Sequence, residues 1–285
     1  MRVTRTAIFL IGLVAGSDCT HVVAQAPAAA TSAAQPQATL TPAEQETFLL
    51  KARIVSTKAA NKGVTDTQRA TLSDGRVTHD ASIQTVDISK PVFQTDLGTE
   101  VNFKDSYIYN IAAYRLSRLL GLNNVPVSVQ RNIKGVPAAV TWWVDDVMMD
   151  EGERFKLKNP MGPDSDRTAK QLHIVRVFDE LIQNKDRNAG NQLWTKDWTM
   201  WMIDHTRAFR WTNQLLKPAL LERCDRVLLE NMRRLTAASV TEAVGKTLIK
   251  QEISALLARR DLLVKFFDTK IADQGERAVL YTYLP

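Results

Sequence analysis

The chain has 285 residues, 45% apolar and 24% charged. This ordinary globular composition excludes a wholly disordered, collagen-like or disulfide-scaffold protein. The longest apolar run, Ala7–Gly16, is shorter than the roughly 20 residues of a membrane span, and two cysteines build no disulfide framework. Thirty-seven Lys and Arg against 31 Asp and Glu give a net charge of +6. That mild excess suits an anionic ligand or an acidic surface and does not by itself imply nucleic acid.

Met1–Ala24 reads as a secretory signal. Arg2 and Arg5 supply the charged start, AIFLIGLVAG the apolar stretch, and Val22-Val23-Ala24 the small residues of a cleavage site. Cleavage after Ala24 would remove Cys19 and leave Cys224 alone, which is compatible with an oxidising compartment. The expectation is an exported protein, periplasmic or secreted, with no membrane span in the mature chain. An uncleaved anchor is the competing reading. Residues 25–40, rich in Ala, Pro, Gln and Ser, form a low-complexity linker with little to bury.

The folded part begins with a helix over Pro42–Arg53. Thr41 caps it, Pro42 takes the first position and Glu44 closes a capping box. Ile54–Thr57 is a short strand. Ala70–Leu72, a Ser73-Asp74-Gly75 turn and Val77–Val86 read as a hairpin. Phe103–Leu120 carries Ile108, Ile111, Ala112, Leu116, Leu119 and Leu120 at helical spacing, ended by Gly121. Val127–Ile133, Lys134-Gly135 and Ala138–Val144 form a second hairpin. The expected first domain, 41–145, is therefore an antiparallel sheet crossed by a helix.

The expected second domain, 146–285, is mainly helical. Met148–Arg167 reads as a connector or a mobile flap, and Thr168–Gln183 as an apolar helix. Asn184–Gly190 is a polar loop. Asn191–Thr195 and Thr199–Ile203 flank a turn at Lys196-Asp197. Leu215–Leu235, Ser239–Leu248 and Gln251–Ala272 read as three more helices, with Ser239 and Glu242 as a further capping box. No internal repeat is visible.

The chemistry concentrates in Asn184–Phe209. Asp186 follows an apolar helix, Asn191 opens a strand and Asp204 closes its returning partner. A two-stranded ribbon brings Asn191 and Asp204 together at its open end with Asp186 close by. Such oxygen ligands suit Mg²⁺, which takes one or two protein carboxylates and completes its shell with phosphate and water. Asp and Asn also suit plain turns and caps, so Asp186 and Asp204 have a purely local reading too.

The order Asp186-x4-Asn191, then Asp204, resembles the catalytic and metal-binding set of phosphoryl-transfer kinases. The flanking letters Asn184-Lys185-Asp186-Arg187 and Ile203-Asp204 resemble the phosphoinositide 3-/4-kinase, HipA-type and Golgi casein-kinase branches. Leu72–Gly75, Ala112–Leu116, Leu119–Leu122 and Val125-Pro126 resemble the upstream pieces of such bacterial proteins. The resemblance spans roughly residues 54–209. It implies an α+β, two-lobed protein-kinase-like fold, with a small antiparallel-sheet N-lobe and a mainly helical C-lobe, in an exported bacterial member. It further implies that Asp186 handles the acceptor proton, and that Asn191 and Asp204 hold Mg²⁺ or Mn²⁺ for ATP or another nucleotide.

The same resemblance marks departures. A kinase Lys is expected where Gln84 stands, and its helix Glu where Asn110 stands. Both appear replaced by amides, which can hydrogen-bond neutrally. Lys58 or Lys90 are alternative sources of charge. Lys62 and Gly63, in Lys58–Gln68, occupy the position of a phosphate-covering loop, or of an ordinary solvated turn. Trp143 and Val144 stand at the expected adenine-contacting hinge, or pack between lobes.

His205 beside Asp204 is expected as a hydrogen-bonded turn histidine, and His173 as helix packing. The histidines and cysteines have no zinc spacing. Trp194, Trp198 and Trp201 suit packing better than base stacking. Arg207 and Arg210 are candidates to grip an anionic substrate, and Cys224 is expected to be a buried thiol.

Two functional readings follow. One is an ATP- and Mg²⁺- or Mn²⁺-dependent phosphotransferase acting outside the cytoplasm on an unknown phosphoacceptor, with phosphoryl or nucleotidyl transfer open. The other is a secreted pseudokinase serving as a binding or scaffold module. A helical envelope protein without nucleotide is a third. Nucleic acid is not an expected partner.

Overall fold

The structure, a computed structural model, describes residues 40–59, 67–95 and 98–285. The expected signal, nearly all of the linker, and Lys62 and Gly63 lie outside the described residues. Thr39–Pro285 group as one unit.

Helix α1 (Pro42–Lys51) starts as expected. Thr41 and Glu44 form a reciprocal capping box, and Pro42 sits in the first turn. Strands β1 (Arg53–Ala59), β2 (Gln68–Ser73) and β3 (Thr78–Gln84) follow. Next comes a hairpin of β4 (Asp87–Thr95) and β5 (Gly98–Ser106), then helix α2 (Ile108–Leu119). Strands β6 (Ser128–Ile133) and β7 (Val136–Trp142) complete the first sheet, whose order is β1-β2-β3-β7-β6, antiparallel throughout. Lys134 (φ 52°) and Gly135 (φ 91°) take the positive dihedrals that the tight β6–β7 turn requires.

The remainder holds β8 (Val147–Asp150), α3 (Glu151–Arg154), α4 (Ser165–Ile182), β9 (Gln192–Thr195) and β10 (Met200–Met202). Then come β11 (Cys224–Asp225), α5 (Arg226–Arg234), α6 (Ala237–Val244), α7 (Lys250–Gln274), α8 (Glu276–Val279) and β12 (Leu280–Tyr281). Strands β10, β9 and β8 form one small sheet, and β11 pairs in parallel with β12. One apolar core runs through both parts. Leu72 and Ala81 of the first sheet join Tyr109 and Leu116 of α2, Phe178 and Leu181 of α4, and Leu256 and Phe267 of α7. Full burial of each large aliphatic or aromatic side chain contributes about 1.5–3 kcal/mol.

Four expectations are corrected. Phe103–Ser106 belong to β5, and the helix begins only at Ile108. Strands β4 and β5 pair from Asp87 with Ser106 to Thr95 with Gly98, and alternation there was masked by the apolar residues that continue into α2. Met148–Arg167 is not a simple connector: Met148–Asp150 belong to β8, paired to β9, and α3 buries a Glu151–Arg154 ion pair beneath Trp194. Leu215–Leu235 is α-helical only from Arg226: Pro218–Leu220 form a separate 3-10 turn opened by Pro218, and Cys224-Asp225 pair with Leu280-Tyr281. Helix α6 is capped by Thr236 with Ser239, not by Ser239 with Glu242.

Candidate active site

Helix α4 ends at Gln183, whose left-handed backbone (φ 50°) turns the chain into the loop carrying Asp186. The Asn184 N–H donates to the Asp179 carbonyl at 2.9 Å. Asn184 Oδ1 accepts the Asp186 N–H at 3.1 Å. The Asp186 carbonyl accepts from the Asn188 N–H at 2.8 Å and from Asn191 Nδ2 at 3.2 Å. The Asp186 backbone is thus fixed on both sides while its carboxylate stays 45% exposed, with Arg207 Nη1 4.0 Å away. A carboxylate that must meet a substrate hydroxyl needs that combination.

The β9–β10 hairpin does what the sequence spacing implied. Met200, Trp201 and Met202 pair with Trp194, Leu193 and Gln192, and the Ile203 N–H donates to the Asn191 carbonyl at 3.0 Å. Asn191 and Asp204 therefore stand at the same open end. Asp204 has a left-handed backbone (φ 51°), a conformation Asp tolerates better than most residues. Its Oδ1 accepts from Thr206 Oγ1 at 3.0 Å.

A third carboxylate, absent from the sequence expectation, joins them. Asp105 of β5 lies close enough to Asp204 and Asp186 for their charges to act on it. Burial first, then those neighbours, raise its carboxyl above the ordinary range, against a Thr206 hydrogen bond. Its Oδ1 is shut from solvent without a hydrogen-bond donor among the described residues. Oxygen donors of this kind suit a hard divalent cation. No group of three or more His, Cys, Asp or Glu side chains stands at metal-holding spacing among the described residues. Asp204 and Asn191 present side-chain oxygens at the open end of the hairpin, a donor set smaller than a closed protein cage and compatible with a cation that keeps water or phosphate in its shell.

Arg187 ties these parts together. Its side chain is 9% exposed and reaches Asp179 Oδ2 at 3.0 Å through Nε and Oδ1 at 3.1 Å through Nη2. Its Nη1 donates to the carbonyls of Asn191 at 2.9 Å and Ile203 at 2.6 Å. Burial raises the Asp179 carboxyl, and Arg187 pulls it back only in part.

Gln84 at the end of β3 and Asn110 on α2 stand side by side. Asn110 Nδ2 donates to Gln84 Oε1 at 2.6 Å, and Gln84 Nε2 donates to Thr67 Oγ1 at 3.2 Å. Asn110 Oδ1 accepts the His205 backbone N–H at 2.7 Å, which anchors α2 directly behind Asp204. The His205 ring is buried edge-on to Phe178, and its Nε2 has no hydrogen-bond partner among the described residues. The backbone of His205 makes the hydrogen bond expected of its ring. Burial, then the Arg187 charge, hold its pKa well below that of a free imidazole.

The alternative charges lie elsewhere. Lys90 sits over the Phe93 ring and Lys58 is exposed on β1. Arg207 and Arg210, the candidate anion grips, are engaged by Glu100 of β5 at 2.9 and 2.6 Å, with Lys185 at 3.6 Å, and both guanidiniums lie over Phe103. Trp143 and Val144 lie between β7 and β8, where the first sheet passes into the second. The Trp143 N–H donates to the Asp80 carbonyl at 3.1 Å, Arg69 stacks on its ring, and Val144 is buried.

Sequence reasoning missed Asp105, Glu100 and Asp179. Asp179 left one trace: with Glu180 it makes an acidic pair in Val175–Ile182, a stretch that is apolar apart from these two and Arg176. Asp105 and Glu100 left none, because the hairpin carrying them was not recognised.

No family model and no curated protein matches the chain. Solved structures do. Hydra Fam20, determined with a sugar, has a TM-score of 0.64 at 15% identity, covering 84% of this chain and 92% of its own. The Golgi casein kinase with Mn and ADP bound has 0.60 at 13%, covering 85% and 80%. The Helicobacter pylori proinflammatory kinase CtkA has 0.51 at 10%, covering 79% and 98%. At these identities the likeness concerns the fold, and it agrees with the small antiparallel sheet and the helices above: the chain has a kinase-like, α+β fold.

Proposed function

We propose that the protein is a phosphotransferase of kinase-like fold that uses ATP or another nucleotide with Mg²⁺ or Mn²⁺ and acts outside the cytoplasm. The observation that carries this reading is the convergence of Asp186, Asn191 and Asp204 at one end of the β9–β10 hairpin. The Golgi casein kinase neighbour, solved with Mn and ADP, supports nucleotide and metal as the pair to test. The signal-like Met1–Ala24 supports the location.

Asp186 orients the acceptor hydroxyl and takes its proton as the acceptor oxygen bonds to the γ-phosphorus. The bond from phosphorus to the β–γ bridging oxygen breaks, and the nucleoside diphosphate leaves. Asn191 and Asp204 would hold the divalent cation, which supplies charge neutralisation on the phosphate oxygens. The backbone near Trp143 and Val144 would receive the base, and Lys62 and Gly63 would cover the phosphates. Gln84 and Asn110 would contact the nucleotide as neutral groups.

The test is thermal unfolding with ATP, with and without Mn²⁺, in the wild type and Asp204→Ala. Ligand at about 100 times its dissociation constant adds about 2.7 kcal/mol, a shift of several degrees at this size. A metal-dependent shift lost in the variant is expected. A folded wild type with no shift would overturn the reading. The neutral Gln84–Asn110 pair favours a second reading, a pseudokinase binding or scaffold module, to which a folded wild type with no shift would point.

A further inference from the structure

We propose that the buried Arg187–Asp179 pair is the positioning device of the candidate metal site, a reading that rests on the phosphotransferase proposal. Three residues converge on one guanidinium, and the chain adds a fourth link. Asp179 lies on α4, one turn before the helix ends. Asn191 and Ile203 belong to opposite strands of the hairpin, and their carbonyls both accept from Nη1. Arg187 itself directly follows Asp186.

Each of the three candidate residues hangs from this node by a short covalent or hydrogen-bonded path. Asp186 is the chain neighbour of Arg187, and its N–H is held by Asn184, whose Nδ2 reaches Asp179 Oδ1 at 3.3 Å. Asn191 offers its carbonyl to both Arg187 and the Ile203 N–H, using both lone pairs. Asp204 follows Ile203, whose carbonyl is the shortest contact Arg187 makes, 2.6 Å. The guanidinium therefore closes the open end of the hairpin. It fixes the separation of the two strands where the metal oxygens emerge.

Only a planar fork does this. A lysine ammonium supplies a point charge and cannot face a carboxylate edge while donating sideways to two carbonyls. The pair is costly to bury. Its placement behind a metal site matches what outer-layer partners do elsewhere: they orient the ligating groups, and their loss costs about 10–100-fold in metal affinity.

The experiment measures Mn²⁺ affinity by electron paramagnetic resonance in the presence of nucleotide, and nucleotide affinity without metal. It compares the wild type with Arg187→Lys and with the double variant Asp179→Asn/Arg187→Met. The double variant removes both charges, so neither partner is left buried and unpaired. The expected result is folded variants whose metal-free nucleotide affinity is unchanged and whose Mn²⁺ affinity falls about 10–100-fold. A folded variant that binds Mn²⁺ like the wild type would overturn the proposal. So would equal loss of both affinities, or failure of both variants to fold, since either assigns the pair to general support of the fold. If the wild type itself binds no Mn²⁺ with nucleotide, the phosphotransferase reading falls first and this inference with it.

Discussion

Asn110 donates its side-chain N–H to Gln84 across the gap between α2 and β3, at 2.6 Å. Both side chains are buried, 5% and 7% exposed. An ammonium–carboxylate pair at this place would hold charge that a nucleotide's phosphates can use. The amide pair holds the same two elements together without charge, and its free carbonyl secures the residue after Asp204.

The neutral pair sets a thermodynamic expectation. Gln84→Lys alone or Asn110→Glu alone buries one unpaired charge, costing several kcal/mol at a site this dry. The double variant Gln84→Lys/Asn110→Glu restores a partner. Urea unfolding of the four proteins should give a favourable coupling energy of about 2 kcal/mol between the two substitutions. Additive effects would show that the positions do not act as a pair.

The roles of Asp186 and Asp204 should separate. The proposed function gives Asp186 the proton step and Asp204 the metal, so on that proposal Asp186→Asn should bind Mn²⁺ and nucleotide as the wild type does. Its transfer or slow hydrolysis of nucleotide should fall by about 10²–10⁴-fold, the usual contribution of a positioned proton acceptor. Calorimetric binding and phosphate release measure the two properties independently. Loss of binding in this variant would place Asp186 among the ligands.

Glu100 ties the β4–β5 hairpin to Lys185, Arg207 and Arg210. Its side chain is 10% exposed and that of Arg210 is 7% exposed. Glu100→Ala leaves Arg210 buried without its carboxylate, a loss of about 3–5 kcal/mol. The thermal midpoint should drop by roughly 2–4 °C per kcal/mol. Hydrogen exchange should quicken across 87–106. Glu100→Gln, which keeps the shape and loses the charge, should fall between. A midpoint unchanged in both variants would mean that the cluster adds no net stability.

Stability should decline on mild acidification. His173 is 7% exposed, and burial, then Arg176, hold its pKa below 6.5; His205 is depressed in the same direction. Above pH 6.5 both are neutral whether folded or unfolded and contribute nothing. Below it the unfolded chain takes up protons that the folded state refuses, so stability falls as pH falls, until the folded values are reached. Each histidine contributes a slope of about 1.4 kcal/mol per pH unit within its window. His173→Gln should remove one such contribution between pH 6.5 and its folded value. An unchanged slope in that variant would show that His173 titrates normally.

What was readable and what was not divides along physical lines. Thr41, Pro42 and Glu44 announced α1 because a cap is a local hydrogen-bond problem. Lys134-Gly135 announced the β6–β7 turn because two positive dihedrals admit few residue types. The loop spacing announced Asp186, Asn191 and Asp204 because a short ribbon necessarily returns one strand end to the other. Gln84 and Asn110, read from the sequence as one neutral pair, do hydrogen-bond to each other. The extent of α2 was misjudged at Phe103–Ser106, where apolar residues serve strand and helix equally. Leu215–Leu235 misled in a similar way: its apolar spacing was helical, but Pro218 and pairing with the distant Leu280-Tyr281 decided the outcome.

The sequence by itself determined the caps, the tight turns and the order of candidate site residues, all set by interactions between near neighbours in the chain. Tertiary structure alone decided that the charges of Asp204 and Asp186 reach Asp105, that Glu100 binds three cations, and that one guanidinium joins α4 to both strands of a hairpin. Those contacts depend on long-range packing and on desolvation, which sets the strength of a charge pair and is a property of the folded interior.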